Sequence, residues 1–77
     1  MEIKVIGTGC EKCGKLYENT LEAVKAAGVE ANIQRVEDLL DIVHLGVMSY
    51  PALMIDGKLV VAGRIAKADE IRRLLEG

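Results

Sequence analysis

Two cysteines three positions apart, Cys10-Glu11-Lys12-Cys13, follow directly on a short β-rich opening run, and this placement constrains the chain more than any other feature. Ile3 and Val5, with their neighbours Lys4 and Ile6, read as a strand, and Gly7-Thr8-Gly9 ends it with residues that tolerate tight bends. From Cys10 or Glu11 to Ala27 the pattern turns helical. Tyr17, Leu21 and Val24 at i, i+4 and i+7 form the expected buried stripe, and Gly28 stands where a helix C-cap belongs. The cysteines thus open a helix. A bridge closing so short a loop removes little entropy from the unfolded chain, so the pair reads as reactive and not as bracing.

The remaining punctuation fixes an element order. Val29, Ala31, Ile33 and Val36 suggest a second strand, and a short helix over about Glu37 to Leu45 is expected to bury Leu39, Ile42 and Val43 before ending at Gly46. Val47-Met48-Ser49-Tyr50 is a connector, and Pro51 stands at the start of the apolar run Ala52-Leu53-Met54-Ile55, a position a strand tolerates. Asp56-Gly57 before Leu59-Val60-Val61-Ala62 is a strong hairpin signal, so these two strands should be antiparallel neighbours. After Gly63-Arg64 a last helix over about Ala68 to Leu75 should bury Ile71, Leu74 and Leu75. Asp69 and Glu70 in its first turn and Arg72 and Arg73 later complement the helix dipole. The order is β-α-β-α-β-β-α. An opening βαβ unit needs a right-handed crossover and a parallel pair, and the hairpin then makes the four-stranded sheet mixed, with helices on both faces.

Composition supports a packed domain and narrows its partners. Residues 1–77 allow only one domain, and 51% of them are hydrophobic, mostly aliphatic, with no Trp or Phe. A net charge of −2, with both signs mixed along the chain, leaves no basic face for nucleic acid and no polybasic membrane signal. The opening run is too short and too charged for a signal peptide, and no apolar stretch is long enough to span a bilayer, so a cytoplasmic location is expected.

Thiol–disulfide exchange needs a thiolate to attack and a second thiol close enough to displace the mixed disulfide that results. Three-residue spacing on a helix puts both cysteines on one face within bridging distance. The helix start favours a thiolate at Cys10, in a setting where cysteine pKa values fall to about 3.5–7.5. Cys10 is therefore read as the nucleophile and Cys13 as the resolving thiol. Lys12 and Lys15 favour the thiolate and Glu11 opposes it. Metal binding through the same pair is the competing reading. Two cysteines make only half of a four-ligand zinc site, and His44 stands alone on another helix, where it reads as a partly exposed structural residue.

The CxxC after the first strand, Tyr50-Pro51 before the third, the Asp56-Gly57 hairpin and Gly63 before the last helix together resemble the thioredoxin and glutaredoxin family. Within it the chain is similar to the small thioredoxin-like redox-active disulfide proteins of archaeal and anaerobe type. The resemblance spans essentially the whole chain and implies a thioredoxin-like fold. It also implies a cis Pro51 facing the cysteines, with the Tyr50 backbone beside it free to pair with an extended substrate, and Gly63 at a further substrate-binding position. Gly9, Glu11 and Lys12 support the redox-active centre, and no cofactor is implied beyond the Cys10–Cys13 couple. Tyr17, one turn past Cys13, reads as helix packing.

The chain departs from thioredoxins in having Gly9 where Trp usually precedes the first cysteine and Glu11-Lys12 in place of Gly-Pro. No buried acid is apparent on the central strands, and the glutathione-binding positions of glutaredoxins correspond only at Gly63 and Asp69, so glutathione specificity is not implied. Expected partners are disulfide-containing client proteins and a separate upstream reductase, since no nucleotide or flavin motif is present. A monomer suits a protein that must present its cysteines to others. Gly7 to Cys13 after a first strand also looks like the metal loop of small copper chaperones, and soft thiolates suit Cu(I). That family ends in a strand, whereas this chain is expected to end in a helix.

Overall fold

The computed structural model describes residues 1–7 and 11–76, with residues 11–13 described by their backbone alone. Its elements are β1 (Glu2–Ile6), α1 (Glu11–Ala27), β2 (Asn32–Val36), α2 (Leu39–His44), β3 (Ala52–Ile55), β4 (Lys58–Ala62) and α3 (Ala68–Glu76). They form one four-stranded sheet in the order β2-β1-β3-β4. β1 pairs in parallel with β2 and antiparallel with β3, and β3 pairs antiparallel with β4. The expected mixed sheet and element order are both present.

Strand alternation divides the core in two. Ile3 and Val5 of β1 and Leu53 of β3 face α1 and α3, joining Leu16, Ala23, Val61, Ala66, Ile71 and Leu75 in the larger cluster. Ile6, Ala52 and Met54 point to the opposite face and meet Ile42 of α2 and Val47 of the connector. A bulge in β4 refines this pattern. Leu53 pairs with Val61 while Met54 pairs with Leu59, which leaves Val60 as the extra residue. Both Val60 and Val61 therefore pack on the α1–α3 side, which strict alternation would forbid.

Several burial expectations are corrected. The buried stripe of α1 is Leu16, Thr20 and Ala23, each fully buried, while Tyr17 and Val24 are half-buried and Leu21 is exposed. Every position of the expected stripe is displaced by one residue, a rotation of about 100° around a helix of 3.6 residues per turn. Large side chains suggested the stripe, but small Thr20 and Ala23 are the ones that allow close approach. Thr20 satisfies its buried hydroxyl by donating to the Leu16 carbonyl at 2.8 Å.

In α2 only Ile42 is buried; Leu39 and Val43 are exposed. The helix starts two residues later than expected because Asp38 caps it, accepting a hydrogen bond from the Leu40 N–H at 2.9 Å. In α3, Ile71 and Leu75 are buried but Leu74 is exposed. The second strand begins at Asn32, whose N–H donates to the Met1 carbonyl at 2.9 Å, and not at Val29.

Candidate functional site

The register fixes which residues meet at the end of the sheet where β1 stops. Ile6 pairs with Val36 and with Ala52, and Ala52 pairs with Ala62. Gly7, Glu37, Pro51 and Gly63, each one residue beyond these, therefore lie along the same edge, and α1 begins four residues after Gly7, at Glu11. Gly9 and Cys10 lie outside the described residues, and so do the side chains of Glu11, Lys12 and Cys13. The backbone of Cys13 is in the first turn of α1, and Cys10 immediately precedes that helix in sequence. The topology thus brings Gly7, Glu37, Pro51 and Gly63 to one end of the sheet.

The connector and the β4–α3 loop are joined beside this edge. The Tyr50–Pro51 peptide bond is cis, Pro51 is buried and Tyr50 is exposed at its flank. The Gly63 N–H donates to the Pro51 carbonyl at 3.0 Å. Gly63 has φ +75°, and a Cβ there would meet the Ser49 Cβ at 3.3 Å, so both backbone conformation and space favour glycine. One hydrogen bond and one close approach thus hold Gly63 against the Ser49–Pro51 segment.

Two further contacts hold the β4–α3 loop, and neither was anticipated from sequence. Asn19 on α1 donates from Nδ2 to the buried Ala66 carbonyl at 2.9 Å. Arg64, next to Gly63, makes a two-pronged ion pair with Glu70 in the first turn of α3, with Nη1 to Oε1 at 2.8 Å. Hydrogen bonding from Arg64 holds the Glu70 carboxyl below the ordinary carboxylate range, and Glu70 raises the guanidinium in return. An Arg and a Glu six residues apart across a helix start gave a possible signal; Asn19 gave none, since a polar residue on a helix is ordinarily a solvated one.

Tyr17 is half-buried against the larger core, with the Arg35 guanidinium 5.3 Å from its ring centroid. Arg35 also pairs with Glu37 at 3.0 Å, so Tyr17 belongs to a packing arrangement as expected. His44 is exposed. It lines a groove of about 260 Å³ with Lys4, Gln34, Val36, Asp41 and Leu45, on the α2 side of the sheet. Among the described residues no three His, Cys, Asp or Glu side chains converge as a metal site requires. Among the described residues, too, no helix is long and apolar enough to cross a membrane. The element order gives the copper-chaperone reading no support, since the helix α3 packs on the sheet after a hairpin.

Comparison with known proteins bears on the same region. The family described as thioredoxin domain matches residues 1–76. A thioredoxin of Methanothermobacter thermautotrophicus is 37% identical over 75 residues, covering 97% of both chains. A thioredoxin of Methanocaldococcus jannaschii is 36% identical over 74 residues, covering 96% of this chain and 85% of that one.

Proposed function

The chain belongs to the thioredoxin-domain family, and from that premise we propose that it is a protein-disulfide oxidoreductase working through the Cys10–Cys13 couple. The observation that supports this reading is the cis Tyr50–Pro51 bond at the end of the sheet where β1 stops, with four residues between that stop and the α1 start that follows Cys10 in sequence. Cys10 as thiolate attacks one sulfur of a client disulfide, and the client's other sulfur leaves as a thiolate that takes up a proton. Cys13, once deprotonated, attacks Cys10 and expels the second client thiolate. Two electrons pass to the client, and Cys10–Cys13 ends as a disulfide, which a separate reductase must reduce again.

The unpaired N–H groups of the first turn of α1 favour negative charge at Cys10, which immediately precedes that helix in sequence. The exposed Tyr50 and the edge at Gly63 flank the place where an extended client segment would lie, with the Tyr50 backbone as its pairing partner. Gly9, Glu11 and Lys12 set the loop and the local charge around the thiolate. In this reading the protein is a single-domain, cytoplasmic monomer that carries electrons from that reductase to client proteins. Neither nucleic acid nor membrane takes part.

A redox titration with thiol alkylation of Cys10 and Cys13 tests the reading. The expected result is one two-electron transition between about −270 and −200 mV. Cys10→Ser abolishes reduction of a protein disulfide, and Cys13→Ser accumulates a mixed disulfide with the client. Equal residual turnover in the two variants overturns the roles; stoichiometric metal that shields both thiols from alkylation overturns the reading as a whole.

A further inference from the structure

The core-facing stripe of α1 runs i, i+3, i+4, i+7 through Leu16, Asn19, Thr20 and Ala23, so two of its four positions are polar. Thr20 is satisfied inside its own helix, by the Leu16 carbonyl. Asn19, half-buried, turns outward instead: its Nδ2 reaches across 47 positions of sequence to the Ala66 carbonyl at 2.9 Å. Among the described residues this is the only side-chain hydrogen bond that leaves α1 for another part of the chain. An apolar residue at position 19 would suit the stripe better, and Asn is one of the poorer helix formers. Packing alone does not account for the amide.

What the amide holds is the loop between β4 and α3. Of residues 63–67 only Ala66 is buried, so apolar packing secures little of this stretch. Arg64 ties it to Glu70 of α3 through an exposed ion pair. Gly63, three residues ahead of Ala66, ties it to the connector by donating its N–H to the Pro51 carbonyl at 3.0 Å, and lies close against Ser49. Asn19 supplies the remaining attachment, on the helix whose first turn carries the backbone of Cys13. We propose that Asn19 is a positioning residue: by holding the Ala66 carbonyl it sets where Gly63, and with it Pro51 and the Tyr50 backbone, stand relative to α1. The proposal rests on the oxidoreductase reading and adds to it the side chain that aligns the client's pairing partner with the helix bearing the resolving thiol. Exchange depends on which sulfur is presented and how it is reached, and a misplacement of about 1 Å can cost on the order of 100-fold in rate. A client held along Tyr50 is sensitive to such a shift, whereas a small disulfide that diffuses freely to the thiolate is not.

The test uses the full chain, reduced and freed of reductant, and follows single-turnover oxidation of its dithiol by insulin, a protein disulfide, and by dithiobis(nitrobenzoate), a small one. Asn19→Leu fills much the same space and cannot donate. It should slow the reaction with insulin about tenfold and leave the small disulfide within about twofold of the parent, so that the ratio of the two rates falls. The reduction potential should be unchanged and the melting temperature close to the parent's, since leucine suits the stripe and the helix. Asn19→Asp, whose carboxylate can only accept and faces the Ala66 carbonyl, should lower the ratio at least as far, and it decides the matter if the leucine variant does not fold. A parental ratio in the folded variants overturns the proposal. So does a parallel loss of both rates with a lowered melting temperature, which makes Asn19 a stabilising residue and nothing more. If the parent reduces neither disulfide, it is the oxidoreductase reading that fails, and the proposal falls with it.

Discussion

On one face of the sheet, two helices of 17 and 9 residues cover Ile3, Val5, Leu53 and Val61 and complete a continuous core. On the other face a single helix of 6 residues contributes one buried side chain, Ile42, to a smaller cluster with Ile6, Val47, Ala52 and Met54. The two faces share the same strands, so the contrast lies in what covers them. The first face spends its apolar residues on stability. The second leaves Leu39, Leu40, Val43 and Met48 in water, where they contribute little to folding and are free to meet another molecule.

That contrast can be broken or sharpened by substitution. Leu53→Ala, in the fully buried centre of the first face, should cost about 2–5 kcal/mol and be read as a lower denaturation midpoint with an unchanged slope. Ile42→Ala removes the only buried side chain of α2 and should cost about 2 kcal/mol, because a short surface helix can settle into the space. Hydrogen exchange should then show the α2 amides opening well before those of α1; if both helices lose protection together, the two faces are one cooperative unit.

Gly63→Ala acts where the two regions meet, between the connector and the β4–α3 loop. It should cost about 1–2 kcal/mol from its positive φ, and it should slow client reduction through the displaced Ser49–Pro51 segment. Leu40→Ser should leave the denaturation midpoint within about 0.5 kcal/mol of the parent, because the side chain is already exposed. A loss comparable to that of Ile42→Ala would mean that the exposed stripe belongs to the core after all.

The smallest effect concerns acid. Glu70 has its folded pKa depressed, so its pair with Arg64 contributes stability that is fully present above the unfolded value of about 4.3 and is lost as pH falls through the folded value. Glu70→Gln should flatten that part of the acid limb of a stability–pH profile and leave the neutral region nearly unchanged.

The sequence displayed its topology openly and its packing angles poorly. The hairpin was legible because Asp56 and Gly57 take positive φ values, 49° and 80°, that few other pairs adopt. The start of α1 was legible because glycines and cysteines interrupt an apolar strand. The orientation of α1 was not, since Thr20 and Ala23 are chosen by how closely α1 must approach its neighbours, and side-chain size points the other way. The same limit applied to α2, where Leu39 and Val43 have the right spacing for a buried face but nothing lies over them. At the site, Pro51 and Gly63 could be read from their places before a strand and after one. Asn19 and the Arg64–Glu70 pair could not, because their partners, Ala66 and each other, are brought close only by the closing of the loop.

Glu2 and Asp56 exchange two hydrogen bonds, the Glu2 N–H donating to Asp56 Oδ1 at 2.8 Å and the Asp56 N–H to the Glu2 carbonyl at 2.7 Å. They pin the first strand to the hairpin at the end of the sheet remote from Pro51, a strand's length of about 16 Å away at roughly 3.3 Å per residue. For anyone wishing to immobilise the protein on a resin or electrode, this is the natural handle. A tether placed ahead of Glu2 would hold the molecule by its blunt end and turn the end carrying Pro51 and Gly63 toward the solution, with the anchoring turn too far away to obstruct an arriving protein.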